Sequence, residues 1–217
     1  MNELFRWEWV FDHLDEVYAR AWEHVFLTGI AIGIGFLIAF PLGVYAYRHR
    51  RAYGPIASVA GIIYTIPSLA LFAMLVPFTG LSTTSAEIGL VGYTLLILIR
   101  NTVSGLQGVP EDAKEAAIGM GYSRRQLLWR VEIPLALPVI VAGLRIATVT
   151  TIGLVTVTAL IGQGGLGYFI LLGLERFFTT ATILGATLSV LLAVTVDRLL
   201  TLAERMLTPW ARVRSET

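Results

Sequence analysis

Residues 115–138 read EAAIGMGYSRRQLLWRVEIPLALP, a charged stretch in a chain otherwise built from long apolar runs. It carries Glu115, Arg124, Arg125, Arg130 and Glu132 and then meets Pro134. Its surroundings fix what it can be. The chain has 217 residues, 56% hydrophobic and 14% charged, where an ordinary soluble domain holds about 25% charged residues. Runs near the ~20 apolar residues needed to cross a bilayer recur along it. The expected fold class is therefore an all-α membrane protein.

Five spans are expected, at roughly 25–47, 54–77, 87–107, 136–161 and 180–203. The bases alternate between connections. "RHRR" (48–51), the opening stretch with Lys114, and a tail with Arg205, Arg212 and Arg214 are basic, whereas 79–87 has no base and 162–179 only Arg176. The positive-inside rule then puts the N-terminus outside and the C-terminus and opening stretch in the cytoplasm. The expected organisation is an extracytoplasmic amphipathic segment 1–24, a membrane domain 25–203 with its cytoplasmic loop at 108–135, and a tail 204–217. In the first segment Leu4, Trp7, Phe11, Leu14, Val17 and Ala21 recur every three or four residues. That makes one apolar helical face, set either on the membrane surface or on the protein itself. No cleavable leader is expected from so acidic a start.

Several motifs lead nowhere. "GQGGLG" (162–167) matches a dinucleotide fingerprint but follows a span instead of a strand, so a tight turn is expected. The only lysine, Lys114, lies between Ala113 and Glu115, so there is no Gly-Lys-Ser/Thr phosphate loop. There is no cysteine, and His13, His24 and His49 stand apart, read as surface or interfacial residues. No catalytic cluster, resident metal or nucleic-acid site is expected.

Other features concern the spans. Gly35, Ala39 and Gly43, and Gly29 with Gly33, are spaced for close helix packing. Pro67 lies in "YTIPSLALF" (64–72), with Thr65 and Ser68 beside it. That is either an interrupted helix lining a solute path, or a kink tied off by the hydroxyls. Arg100, Arg145 and Asp197 each fall roughly 10 Å inside the cytoplasmic ends of their spans. Charges there need partners or water, so Asp197 is expected to pair with Arg145 or Arg100. The threonines of span four can satisfy themselves on their own backbone.

The opening stretch reads as an elbow. Pro110, Glu111 and Asp112 start a helix. Gly121 interrupts it, and Ser123 with Gln126 forms a capping box for a second short helix expected to end before Pro134. Glu115-Ala116-Ala117, Gly121 and Val131-Glu132-Ile133-Pro134, at their spacings, resemble the EAA loop of ABC importer permeases. Val131 and Ile133 depart mildly from that family's usual Ile-x-Leu-Pro. "LIRNTVSGL" (98–106), "EIPLALPVIVAGLRIATV" (132–149), "ALIGQGGLGYFI" (159–170) and the Pro67 stretch are similar to the glycine betaine, carnitine and choline branch. The resemblance implies the type I importer permease fold and a non-catalytic transport subunit. It implies coupling through Glu115, Ala116, Ala117, Gly121 and Pro134 to separate ATPase chains, which carry the ATP and magnesium. A second permease subunit, identical or paralogous, and an extracytoplasmic solute-binding protein complete the implied assembly. A quaternary ammonium solute wants aromatic faces, which makes Tyr64 and Tyr93 path candidates with Thr65 and Ser68. An amino-acid importer permease, methionine for example, is the alternative within the class. A channel or secondary transporter is the alternative outside it.

Overall fold

The computed structural model describes residues 5–208, all-helical with turns. Residues 1–4 and 209–217, including Arg212 and Arg214 of the expected tail, lie outside the described residues. A short α1 (Trp7–Asp12) leads into α2 (Leu14–Arg48), then α3 (Arg50–Thr65), α4 (Ser68–Thr79) and α5 (Thr83–Gln107). The elbow holds α6 (Glu111–Gly119) and α7 (Arg124–Leu127). A widened turn at Leu128–Glu132 opens into α8 (Ile133–Val157), followed by a tight turn Thr158–Ile161, α9 (Gly167–Glu175) and α10 (Thr179–Leu207). Four helical stretches are long and apolar enough to cross a membrane, and a fifth is counted if the bent pair α3–α4 is one span.

The core is α5, enclosed by α2 and α8. Small residues let the backbones close up. Gly35 faces Thr94, and Gly43 faces Thr102, whose Cβ lies 2.7 Å from where a Cβ on Gly43 would stand. Across α8, Gly143 receives Asn101, and Gly105 meets the backbone of Ala136. The threonines bond their own helices, as Thr148 to the Leu144 carbonyl at 2.7 Å and Thr151 to that of Ala147 at 2.8 Å. Gly29 and Gly33, of the same spacing class, meet nothing within 4 Å and face outward.

Four expectations need correction, three on the helices and one on His24. The segment 1–24 is not a helix apart, because from Leu14 onward it is continuous with the first span. The second span breaks at Pro67, where its sequence allowed an interruption or a kink: Ile66 is held in an extended conformation (φ −65°, ψ 129°), and α3 and α4 meet at 94°. The helix after Ser123 does not end before Pro134. The N–H of Ile133 bonds five residues back, to Leu128, and Pro134 sits in the first turn of α8. A proline removes the donor for the carbonyl four residues earlier, and the widened turn takes up that mismatch. Residues 124–161 therefore form one continuous helical stretch. Finally, α9 lies between spans where only a loop was expected.

His24 is wholly buried, not superficial. Its Nδ1 accepts the Leu166 N–H at 3.3 Å, which leaves Nε2–H to donate to the Ile152 carbonyl at 3.0 Å. The ring thus joins α2, α8 and the glycine turn 162–165, where Gly162, Gly164 and Gly165 all have positive φ.

Candidate functional site

The elbow is built from two well-defined helix ends. Pro110 caps α6, with Glu111 and Asp112 in its first turn, where negative charge suits the helix dipole. At the other end Gly121 (φ 84°) sits in the left-handed conformation. The Tyr122 N–H reaches the Ala117 carbonyl at 3.1 Å and the Gly121 N–H that of Ile118 at 2.9 Å. This crossed pair is the Schellman stop, whose left-handed position favours glycine. Ser123 then opens α7 with both hydrogen bonds of a capping box formed.

Side chains divide cleanly by face. Ala117 is buried, whereas Glu115, Ala116 and Gly121 are exposed. Two apolar residues that the sequence reading did not single out, Ile118 and Met120, are also exposed beside them. The base is fixed below: Val109, Leu128, Ala136 and Ile140 bury with Leu106, with Phe40 and Val44 of α2 packed against them. Pro134 lies half-buried at the start of α8.

Polar latches tie this base to the first span. Tyr47 Oη donates to Glu132 Oε1 at 2.7 Å, and Glu132 is buried. Lys114, also buried, lies 5.9 Å from the centre of the Tyr47 ring and pairs with Glu111 at 3.0 Å. Burial alone would lower its pKa, but the hydrogen bond to Glu111 and the neighbouring Tyr47 outweigh it and hold the ammonium above its usual range. Arg48 adds a bond to the Arg124 carbonyl at 3.2 Å. Of the three intramembrane charges, Arg145 and Asp197 meet at 2.9 Å, and Arg145 also bonds Glu204 at 3.0 Å. Glu204 lies seven residues beyond Asp197, two turns along the same face, a spacing that would have found it. Arg100 is exposed, with no ion-pair partner among the described residues.

The Pro67 break joins the other candidates. Tyr64 and Tyr93 meet edge to face with ring centres 5.9 Å apart. The Tyr93 hydroxyl donates to the Ile66 carbonyl, freed at the break, and that of Thr65 donates to Ile62 at 2.8 Å. Tyr93 is buried by this, while Tyr64 and Thr65 remain exposed and Ser68 begins α4.

Comparisons with known proteins give the family and the fold. Residues 30–209 match the family model described as binding-protein-dependent transport system inner membrane component. The choline transport system permease protein OpuBB of Bacillus subtilis (strain 168) is 39% identical over 89% of this chain and 89% of its own length. The osmoprotectant import permease protein OsmW of Salmonella typhimurium is 36% identical, covering 93% of this chain and 96% of its own. Among solved structures, an inward-facing MetNI methionine ABC transporter chain superposes with a TM-score of 0.75 at 22% identity, over 91% of this chain and 97% of that one. At that identity the likeness concerns the fold. The chain belongs to the family of binding-protein-dependent transport inner membrane components, as a multi-pass membrane subunit.

Proposed function

We propose that this chain is the permease subunit of an ATP-driven importer for quaternary ammonium osmoprotectants such as choline, glycine betaine and carnitine. Its relatives named for choline and osmoprotectant transport support the solute class. The elbow carries the mechanism. It offers an exposed helix face with Glu115, Ala116, Ile118 and Met120, while Ala117, Leu128 and Glu132 anchor it from behind. Separate ATPase chains, holding ATP and magnesium, dock on that face, and Gly121 sets its angle to the helical stretch that carries Pro134 in the first turn of α8. The bent pair counts as a fifth span, with the N-terminus outside and the C-terminus in the cytoplasm. Two permease subunits enclose the path, since one chain of this size is too small to do so. Closure of the ATPases pulls on the elbows and shifts the pair between outward- and inward-open packings. Tyr64 offers an aromatic face to the quaternary ammonium at the break, with Thr65 and Ser68 nearby, and Tyr93 holds that face in place. Arg145, Asp197 and Glu204 brace the cytoplasmic half, and Arg100 faces water.

The test is uptake of labelled choline, glycine betaine and carnitine by vesicles holding the full transporter and its binding protein. Uptake is expected to require ATP and to resist excess methionine. Competition by methionine would move the reading to amino acids, and uptake without ATP would move it to a channel or secondary transporter.

A further inference from the structure

Two helices of this chain end in the same way with opposite residues. At the end of α6, Gly121 occupies the left-handed position. At the end of α9, the Phe178 N–H bonds the Gly173 carbonyl at 2.8 Å, the long bond of the same Schellman stop. Its left-handed position is filled by Phe177, at φ 51°, the one residue other than glycine with positive φ among those described. A bulky side chain is disfavoured there. The Phe177 ring is also 95% exposed, so it packs on nothing in this chain. Both costs fall on one residue, and neither is offset within the fold.

The surroundings say what meets it. The adjoining cleft, about 440 Å3, lies between α1, the start of α2 and the α9–α10 turn, and Arg6, His13, Glu16 and Arg176 line it. Four ionisable groups in one cleft favour water or a polar partner there over hydrocarbon. The cleft is firmly built: the Arg6 N–H donates to Thr180 at 2.9 Å, and Trp9 meets Phe178 edge to face at 5.0 Å. Exposed Glu8, Asp12 and Asp15 adjoin the lining residues Trp9, His13 and Glu16 in sequence, while Arg6 and Arg176 lie in the cleft itself, so the surface carries both signs of charge.

We propose that Phe177 and this cleft are the docking anchor for the extracytoplasmic solute-binding protein, with the ring entering an apolar pocket edged by both basic and acidic side chains on that partner. An exposed, positioned aromatic beside a charged rim is the chemistry of an interface hot spot. The inference rests on the orientation given above, and one experiment separates the two. The chain has no cysteine, so Phe177→Cys in the full transporter gives this chain a single thiol for a membrane-impermeant maleimide, read on this chain's own band. Labelling from outside, slowed at least tenfold by saturating solute-loaded binding protein, is the expected result. Labelling from outside without protection overturns the docking and leaves the topology standing. Labelling from the cytoplasmic side alone overturns both, and a thiol shielded from either side places the ring in lipid and overturns the docking. Phe177→Gly gives the second test. Glycine relieves the backbone, so the melting temperature is expected to rise while half-maximal stimulation of ATP hydrolysis needs at least tenfold more binding protein. A stabilised variant with unchanged dependence on binding protein would sink the proposal.

Discussion

The two ends of α8 are held by different physics. At its C-terminal end, the outer one in the proposed orientation, the chain turns through Gly162, Gly164 and Gly165, and backbone lies against backbone: a Cβ on Gly167 would fall on the main chain of Thr156. The bond there is the neutral ring of His24, shared between two main-chain groups. At its inner end the contacts are ionisable side chains, Tyr47 to Glu132 and Lys114 to Glu111, and a Cβ on Gly121 would meet nothing within 4 Å. The outer end is filled and fixed. The inner end is latched by ionisable side chains beneath an elbow whose far face is exposed, which suits the coupling role proposed for it.

Substitutions can break this contrast. Gly167→Val should be the most damaging, because the main chain of Thr156 cannot yield. A loss of about 3 kcal/mol or more is expected, read as the absence of a folded fraction in detergent gel filtration. His24→Ala follows. It leaves the Leu166 N–H without its partner and opens a void, for about 2–3 kcal/mol, measured as a lower melting temperature; an unchanged melt would show the outer end is not pinned there. Tyr47→Phe removes one hydrogen bond from a buried carboxylate, for about 1–2 kcal/mol. Its expected signature is ATP hydrolysis kept with less solute moved per ATP, and an unchanged ratio would remove the latch from the coupling route. Gly121→Asp sharpens the contrast most while disturbing the fold least. Aspartate tolerates the left-handed region, so about 1 kcal/mol is expected in stability, yet uptake should fall at least tenfold as charge enters the ATPase contact. Normal uptake in Gly121→Asp would place the contact elsewhere.

What the sequence could reveal follows the same division. The elbow was legible because its devices are local. A capping box and a glycine stop are written within a few residues, and Ser123, Gln126 and Gly121 stand where those rules put them. The spans were legible as apolar runs, and the pairing of Arg145 with Asp197 followed from their similar distances from the ends of their helices. The 94° break was only half legible. Pro67 marks the place, but the angle depends on Tyr93, which is 27 residues away and holds the freed carbonyl. His24 was illegible for the same reason: its partners lie 128 and 142 residues away. Of the two small-residue patterns on α2, only packing against Thr94 and Thr102 decides which is inside. The widened turn before Pro134 also escaped, since a proline after a helical run usually signals an end.

That widened turn has a mechanical consequence. Because it lets a proline sit inside an unbroken helix, Arg124 and Val157 belong to one rod, about 50 Å long at 1.5 Å per residue. A break in the hydrogen bonding at Pro134 would let a tilt imposed at the elbow die out there. With the ladder carried through, the elbow and the glycine turn are opposite tips of a single lever, and a few degrees at one tip becomes ångströms of travel at the other.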